Sequence, residues 1–145
     1  MIGLIQRVTN AQVIVDSNVC GAIESGILAL IGVTQEDDSA RMKKLADRIM
    51  NYRIFADHNG KMNLNVKQIN GGLLLVPQFT LAADTQSGLR PSFSTAAPPQ
   101  MSEQLFQQLV DYCQQQMAPV ASGVFGADMD VHLCNQGPAT FWLES

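Results

Sequence analysis

Gly26-Ile27-Leu28-Ala29-Leu30-Ile31-Gly32 is a stretch of seven residues with no polar side chain and no alternation. A short continuous apolar run bounded by glycines reads as a β-strand buried on both faces, which places it at the centre of a sheet. Leu73-Leu74-Leu75-Val76, following Gly71-Gly72, reads the same way. Pro77 ends this second run or sets it beside an edge, because proline has no N–H for the ladder. Two doubly buried strands need cover on both sides, and the remainder of the chain has to supply it.

Strands and two helices account for that remainder. Ile2–Val8 and Gln12–Val15 are rich in β-branched residues, Asp16-Ser17-Asn18 reads as a hairpin turn, and Val19–Ile23 as the return strand. After Glu36-Asp37-Asp38, acidic residues suited to a helix N-terminus, Met42, Leu45, Ala46 and Ile49 recur at helical spacing. Tyr52–Phe55 reads as a strand, Asp57-His58-Asn59-Gly60 as a turn, and a short strand follows. Leu105, Leu109, Tyr112 or Cys113, and Met117 mark a second amphipathic helix with Pro99 in its first turn. Met129, Val131 and Leu133 alternate with polar residues as in a half-buried strand. Asn135-Gln136-Gly137-Pro138 interrupts it, and Ala139–Leu143 resumes it. The fold class is α/β, with mixed sheets and helices on one side in β/β/α layers, as a single domain over residues 1–145. A chain of this length buries roughly two thirds of its unfolded surface around one core.

Composition narrows the function classes. The longest apolar run is far shorter than the roughly 20 residues of a spanning helix, and the first residues lack a signal-peptide pattern, so the reading is cytoplasmic with no membrane partner. Cys20, Cys113 and Cys134 are widely spaced and odd in number, which suits buried free thiols rather than disulfides or a metal site. The net charge is −4, yet seven of the nine Lys and Arg residues fall between Arg41 and Lys67. That stretch is either a docking face for a phosphate backbone or the solvated side of a helix and a turn.

Standard catalytic sets are missing. His58 and His132 have no metal-ligand spacing, and there is no GxSxG elbow or glycine-rich phosphate loop. Two segments at strand ends remain, Pro77-Gln78-Phe79-Thr80-Leu81 and Asn135-Gln136-Gly137-Pro138-Ala139-Thr140. Each is either a bend or a functional loop.

These two segments resemble the signature motifs of the D-aminoacyl-tRNA deacylase family, and the likeness runs the whole length of the chain. It includes Met1-Ile2-Gly3-Leu4-Ile5-Gln6-Arg7-Val8-Thr9, Arg53-Ile54-Phe55-Ala56-Asp57 with Gly60-Lys61-Met62-Asn63-Leu64, Gln78 to Asp84, Arg90-Pro91-Ser92-Phe93, and Gly137-Pro138 with Thr140-Phe141-Trp142-Leu143. The resemblance implies an esterase that frees tRNA charged with D-amino acids, needs no cofactor, and works as a homodimer. It implies that the Gly137-Pro138 bond is cis and enters the partner's active site, that Arg7 orients this loop, and that Gln78, Phe79 and Thr80 line the reacting end. Discrimination would come from backbone that collides with an L-side chain, which leaves glycyl-tRNA a substrate. Either Thr80 attacks the ester, or the terminal ribose hydroxyl helps activate water while backbone N–H groups near Phe79 and Thr80 stabilise the oxyanion. Lys43, Lys44 and Arg48 become candidates for tRNA phosphate contacts. Pro77 departs from the family, which usually has serine there, and Gln136 and Ala139 also differ, as positions expected to vary while Gly137 should not. A non-catalytic tRNA-binding module and a metal-dependent hydrolase are the alternatives.

Overall fold

The computed structural model describes residues 1–86 and 88–145. The elements are β1 (Ile2–Val15), β2 (Asn18–Ile23), β3 (Gly26–Gly32), α1 (Ser39–Asn51), β4 (Phe55–Ala56), β5 (Met62–Leu64), β6 (Gly72–Pro77), a 3₁₀ turn (Phe79–Ala82), α2 (Pro99–Gln116), β7 (Val120–Ser122) and β8 (Asp130–Glu144). One sheet has the order β2-β1-β3-β6-β7, with β8 also paired to β1, and β4-β5 form a separate hairpin. No helix among the described residues is long and apolar enough to cross a membrane.

The two apolar runs are neighbours. β3 and β6 pair in parallel from Gly26↔Gly72 to Ile31↔Pro77, and Ile27, Leu28, Ala29, Leu73, Leu74 and Leu75 are almost wholly buried. Gly26 is fixed by close approach, since a Cβ there would stand 1.9 Å from the Gly72 carbonyl oxygen. Ile27, Ala29, Leu73 and Leu75 face the helices, packing with Leu45, Ile49, Leu105 and Leu109. Leu28, Leu74 and Val76 face the other way, into a second core with Val8, Val13 and Ile23, against which Val131 packs. The β/β/α layering therefore follows from one strand pair that is apolar on both faces.

The helices form as their spacing requires. Asp38 caps α1 by accepting from the Arg41 N–H at 2.8 Å, and Met42, Leu45, Ala46, Ile49 and Met50 are buried. The neighbouring Asp37 does not serve the helix end. It turns inward to the Met1 ammonium and to the Thr34 N–H at 2.7 Å, so its buried charge is paired. In α2, Cys113 is buried and the Tyr112 hydroxyl donates outward to Asp47 at 3.0 Å.

Several boundaries differ from the sequence reading. β1 is continuous through Thr9 and Asn10, because pairing with β8 carries it across the polar residues with a bulge. The β1–β2 loop is the two-residue turn Asp16-Ser17, both at positive φ, the backbone twist that suits a tight hairpin. Tyr52 ends α1 instead of starting a strand. Leu133 is 36% exposed, so the expected half-buried pattern stops at Val131, where the second core ends. Cys113 is buried, but Cys20 and Cys134 are exposed on the outer strands β2 and β8, which corrects the expectation of three buried thiols.

Burial pushes the Cys113 thiol up to about 12, so it stays protonated and unreactive at neutral pH. Titration of the native protein with an aromatic disulfide at pH 7.5 is expected to modify no more than Cys20 and Cys134, with Cys113 reacting only once urea unfolds the chain.

Candidate active site

The first motif leaves the end of β6. The Gln78 N–H donates to the Ile31 carbonyl at 2.7 Å, and the chain then tightens into the 3₁₀ turn, whose first internal bond runs from the Leu81 N–H to the Gln78 carbonyl at 3.2 Å. The N–H groups of Phe79 and Thr80 precede that bond and have no partner within the turn. The Gln78 carboxamide donates to Thr80 Oγ1 at 2.5 Å, the one side-chain hydrogen bond to this hydroxyl among the described residues. Among the described residues no histidine or carboxylate is paired with it. Phe79 is 57% exposed and lies against Phe93 with ring centroids 5.2 Å apart.

Pro77 costs the sheet nothing. Leu73 donates toward β7, to the Pro119 carbonyl, and Gln78 donates toward β3, so alternation turns the position-77 nitrogen toward β7. The β6–β7 register ends at Leu75↔Ser122, short of that point. The proline ring instead walls a cavity of about 480 Å³ lined by Gln78, Phe79, Ala97, Ser102, Phe125 and Met129, among others.

The second motif is a projection from the β1–β8 ladder. Gln6 pairs with Thr140 and Val8 with Asn135, so Arg7 alone faces the four residues 136–139. Four residues cannot lie flat opposite one, so the excess bulges out of the ladder as a loop inside β8, which is continuous where the sequence suggested an interruption at Asn135-Gln136-Gly137-Pro138. The Gly137-Pro138 bond in this loop is cis, as is Ala118-Pro119. Arg7 Nε donates to the Gln136 carbonyl at 3.2 Å and its Nη1 to the Ile54 carbonyl at 2.6 Å, tying the loop to the segment before β4. The β4–β5 turn beyond is held by Asp57, whose carboxyl lies below the usual range because it accepts from the Asn63 side chain and then from the Lys61 and Asn59 N–H groups. A lowered folded value means that this support is present at neutral pH and is lost as pH falls through it.

Gly137 and Ala139 are constrained differently within the protomer. A Cβ on Gly137 would meet only Asn135 Oδ1, at 3.6 Å, so nothing within the protomer requires glycine. Ala139 is fully buried, and it is the constrained neighbour.

The two motifs do not meet within one protomer. Three strand spacings separate β8 from β6, and four residues of register separate Arg7↔Ile27 from Ile31↔Pro77, a span of roughly 20 Å by ordinary sheet dimensions. Lys43, Lys44 and Arg48 lie together along α1, around an open depression with Asp47 and Tyr52. Arg48 is partly committed to the fold through the Glu144 carbonyl, while Lys43 and Lys44 are exposed. Among the described residues no three His, Cys, Asp or Glu side chains cluster as metal ligands. Asn135, Phe93 and the 125–129 segment at the cavity were not singled out as site residues by sequence. Their signal is spatial, apart from Asn135 and Phe93, which lie in segments that carry the resemblance.

The family model described as D-Tyr-tRNA(Tyr) deacylase matches residues 4–144. The chain is 59% identical to the D-aminoacyl-tRNA deacylase of Shewanella loihica, covering 99% of both chains, and 58% identical to that of Stutzerimonas stutzeri over the full length of both. Among solved structures it is similar to a c-Myc DNA unwinding element binding protein, with a TM-score of 0.95 and 34% identity over 100% of this chain and 99% of that one. A probable eukaryotic D-amino acid tRNA deacylase shares the fold, with a TM-score of 0.85 at 13% identity over 99% and 98% of the two chains.

Inserting bulk at the buried Ala139 should be felt in stability. Ala139→Leu is expected to lower unfolding free energy by about 1–3 kcal/mol, the usual cost of overpacking, read from urea denaturation followed by circular dichroism.

Proposed function

The chain belongs to the D-Tyr-tRNA(Tyr) deacylase family, and on that premise we propose that it hydrolyses D-aminoacyl-tRNA to free D-amino acid and tRNA, using the Gly137-Pro138 loop to exclude L-amino acids. The observation that carries the reading is the pair of motifs held roughly 20 Å apart in one protomer, a turn whose first N–H groups are free of its internal bonds beside a cavity and a projecting loop fastened by Arg7. A homodimer brings the loop of one copy to the turn of the other. Large apolar side chains left open on the outer strands, Val19, Leu133 and Trp142, support such an association.

In this arrangement the cavity and the exposed Phe79 ring receive the terminal nucleoside, since an aromatic face stacks on a base without regard to sequence. The partner's loop offers backbone carbonyls to the substrate ammonium group. Inverting the α-carbon drives the side chain into that backbone, so rejection depends on chirality and not on side-chain identity. Glycine has nothing to collide, and glycyl-tRNA is cleaved as well. The exposed Lys43 and Lys44, with Arg48, offer positive charge to phosphates further along the acceptor. No cofactor takes part, and translation in the cytoplasm is the setting.

Chemically, water adds to the ester carbonyl carbon, the Phe79 and Thr80 N–H groups stabilise the tetrahedral oxyanion, and collapse breaks the bond to the ribose oxygen. The proton lost by water reaches that oxygen through the neighbouring ribose hydroxyl. The Thr80 hydroxyl accepts from Gln78 and has no histidine or carboxylate partner among the described residues, which favours this route over an acyl-enzyme.

Release of free amino acid from D- and L-alanyl-tRNA, with and without the protein, tests the function. Rapid release from the D-ester and little from the L-ester is expected, and equal rates would sink the filter. Thr80→Ala is expected to lower kcat by about tenfold or less; a loss beyond about a thousandfold with binding preserved would instead mark Thr80 as the nucleophile.

A further inference from the structure

We propose that the Asn135 side chain is a positioning residue that sets the projection and orientation of the 136–139 loop from inside it. This rests on the reading of that loop as the chirality filter.

The excursion from Gln6↔Thr140 to Val8↔Asn135 opens a gap in the ladder at its base. Backbone groups facing a gap lose their strand partners, and they need others or water. One carboxamide fills this role on both sides. Asn135 Nδ2 donates to the Arg7 carbonyl at 3.0 Å, across the ladder, and to the Ala139 carbonyl at 3.3 Å, at the far end of the loop. Its Oδ1 is the nearest group to the position where a Gly137 side chain would begin. The amide therefore lies within the loop, spanning its throat and standing beside Gly137.

Arg7 and Asn135 divide the task. Arg7 reaches the loop from outside through the Gln136 carbonyl, while its own carbonyl is the acceptor Asn135 uses to span the throat. The near end of the excursion is thus tied directly to one residue of β1, and the far end is tied to it through Asn135. The Gln6 carboxamide closes the ladder beyond, donating to Thr140 Oγ1 at 3.2 Å. A filter that rejects by collision works only if its backbone cannot retreat, so the groups that hold the loop govern discrimination although they need not touch the substrate.

Asparagine is specifically suited to this place. Two amide hydrogens serve two carbonyls at once, and no carboxylate or hydroxyl of similar size does so. Asn135→Asp is nearly isosteric but supplies no donor when ionised and sets a negative charge against two carbonyl oxygens.

Single-turnover cleavage of D-alanyl-tRNA and L-alanyl-tRNA by the wild-type protein and Asn135→Asp provides the test, with folded fraction and urea midpoint measured on the same samples. The ratio of D to L rates should fall by at least about tenfold per folded molecule, since small displacements of a positioning group carry large kinetic effects. A purely structural role would lower both rates together and leave the ratio alone, and that result would overturn the proposal. Should Asn135→Asp fail to fold, Asn135→Ser, which keeps one donor, is read by the same ratio and the same criterion. A wild-type ratio near one would refute the filter itself, and this proposal with it, whereas a high wild-type ratio unchanged in the variant would refute only the role of Asn135.

Discussion

The pairing of β1 with β8 is the constraint on which the site depends. It runs in one register from Ile2↔Glu144 to Gln6↔Thr140 and in another from Asn10↔Cys134 to Ile14↔Asp130, with Val8↔Asn135 between two shifts, and the first shift leaves residues 136–139 opposite Arg7 alone. Because both halves are pinned by ladder hydrogen bonds, the surplus cannot be taken up by slippage. Register is strongly specified where one face is buried, and here Ile5 is buried against the helices while Val8 and Val13 are buried in the second core. The loop is thus a consequence of two well-determined strand pairings that disagree in length. Its position is set by the parts of the sheet that cannot move.

The parallel pair β3–β6 does the corresponding work at the other motif. Its side chains are buried on both faces, so the end of β6 is among the best-anchored points in the chain. Gln78 is still hydrogen-bonded to Ile31 when the backbone turns, which orients the N–H groups of Phe79 and Thr80 from a fixed base. Proline is acceptable at position 77 because its missing donor faces the side where β7 has already ended. The departure from the usual serine therefore alters the lining of the cavity and leaves the ladder intact.

Much of this was legible in the sequence, for identifiable reasons. Gly26–Gly32 and Leu73–Val76 announced doubly buried strands because nothing polar interrupts them, and the buried stripes of α1 and α2 followed from three- and four-residue spacing. The layered fold is implicit in those facts. What escaped was whatever depends on the pairing of distant strands. β1 continues through Thr9 and Asn10 because β8 holds it, and Leu133 is exposed because the second core ends before it reaches that side chain. Asp37 looked like a helix-end charge until the Met1 ammonium was found beside it. The site showed the same division. Residues 78–80 and 137–138 were visible as unusual strand-end compositions and by family resemblance, whereas the Asn135 amide had no signal until its acceptors, 128 residues upstream and 4 downstream, were in place.

The contrast between Gly137 and Ala139 bears on how such a site is built. Within the protomer Gly137 has room for a side chain and Ala139 has none, so the need for a bare backbone at Gly137 has to come from outside the chain. On the proposed reading its source is the substrate α-carbon and the facing turn of a second copy. Ala139 answers to a different demand, the seating of the loop in its own subunit, where its carbonyl accepts from Asn135. Two small residues on either side of Pro138 are thus selected, on that reading, by different bodies, one by a ligand and a partner, the other by the core. On the proposed reading, a filter made of backbone has no side chain of its own to vary, so its specificity is tuned only through the residues that hold it, and Arg7, Asn135 and Ala139 are those placed to do so.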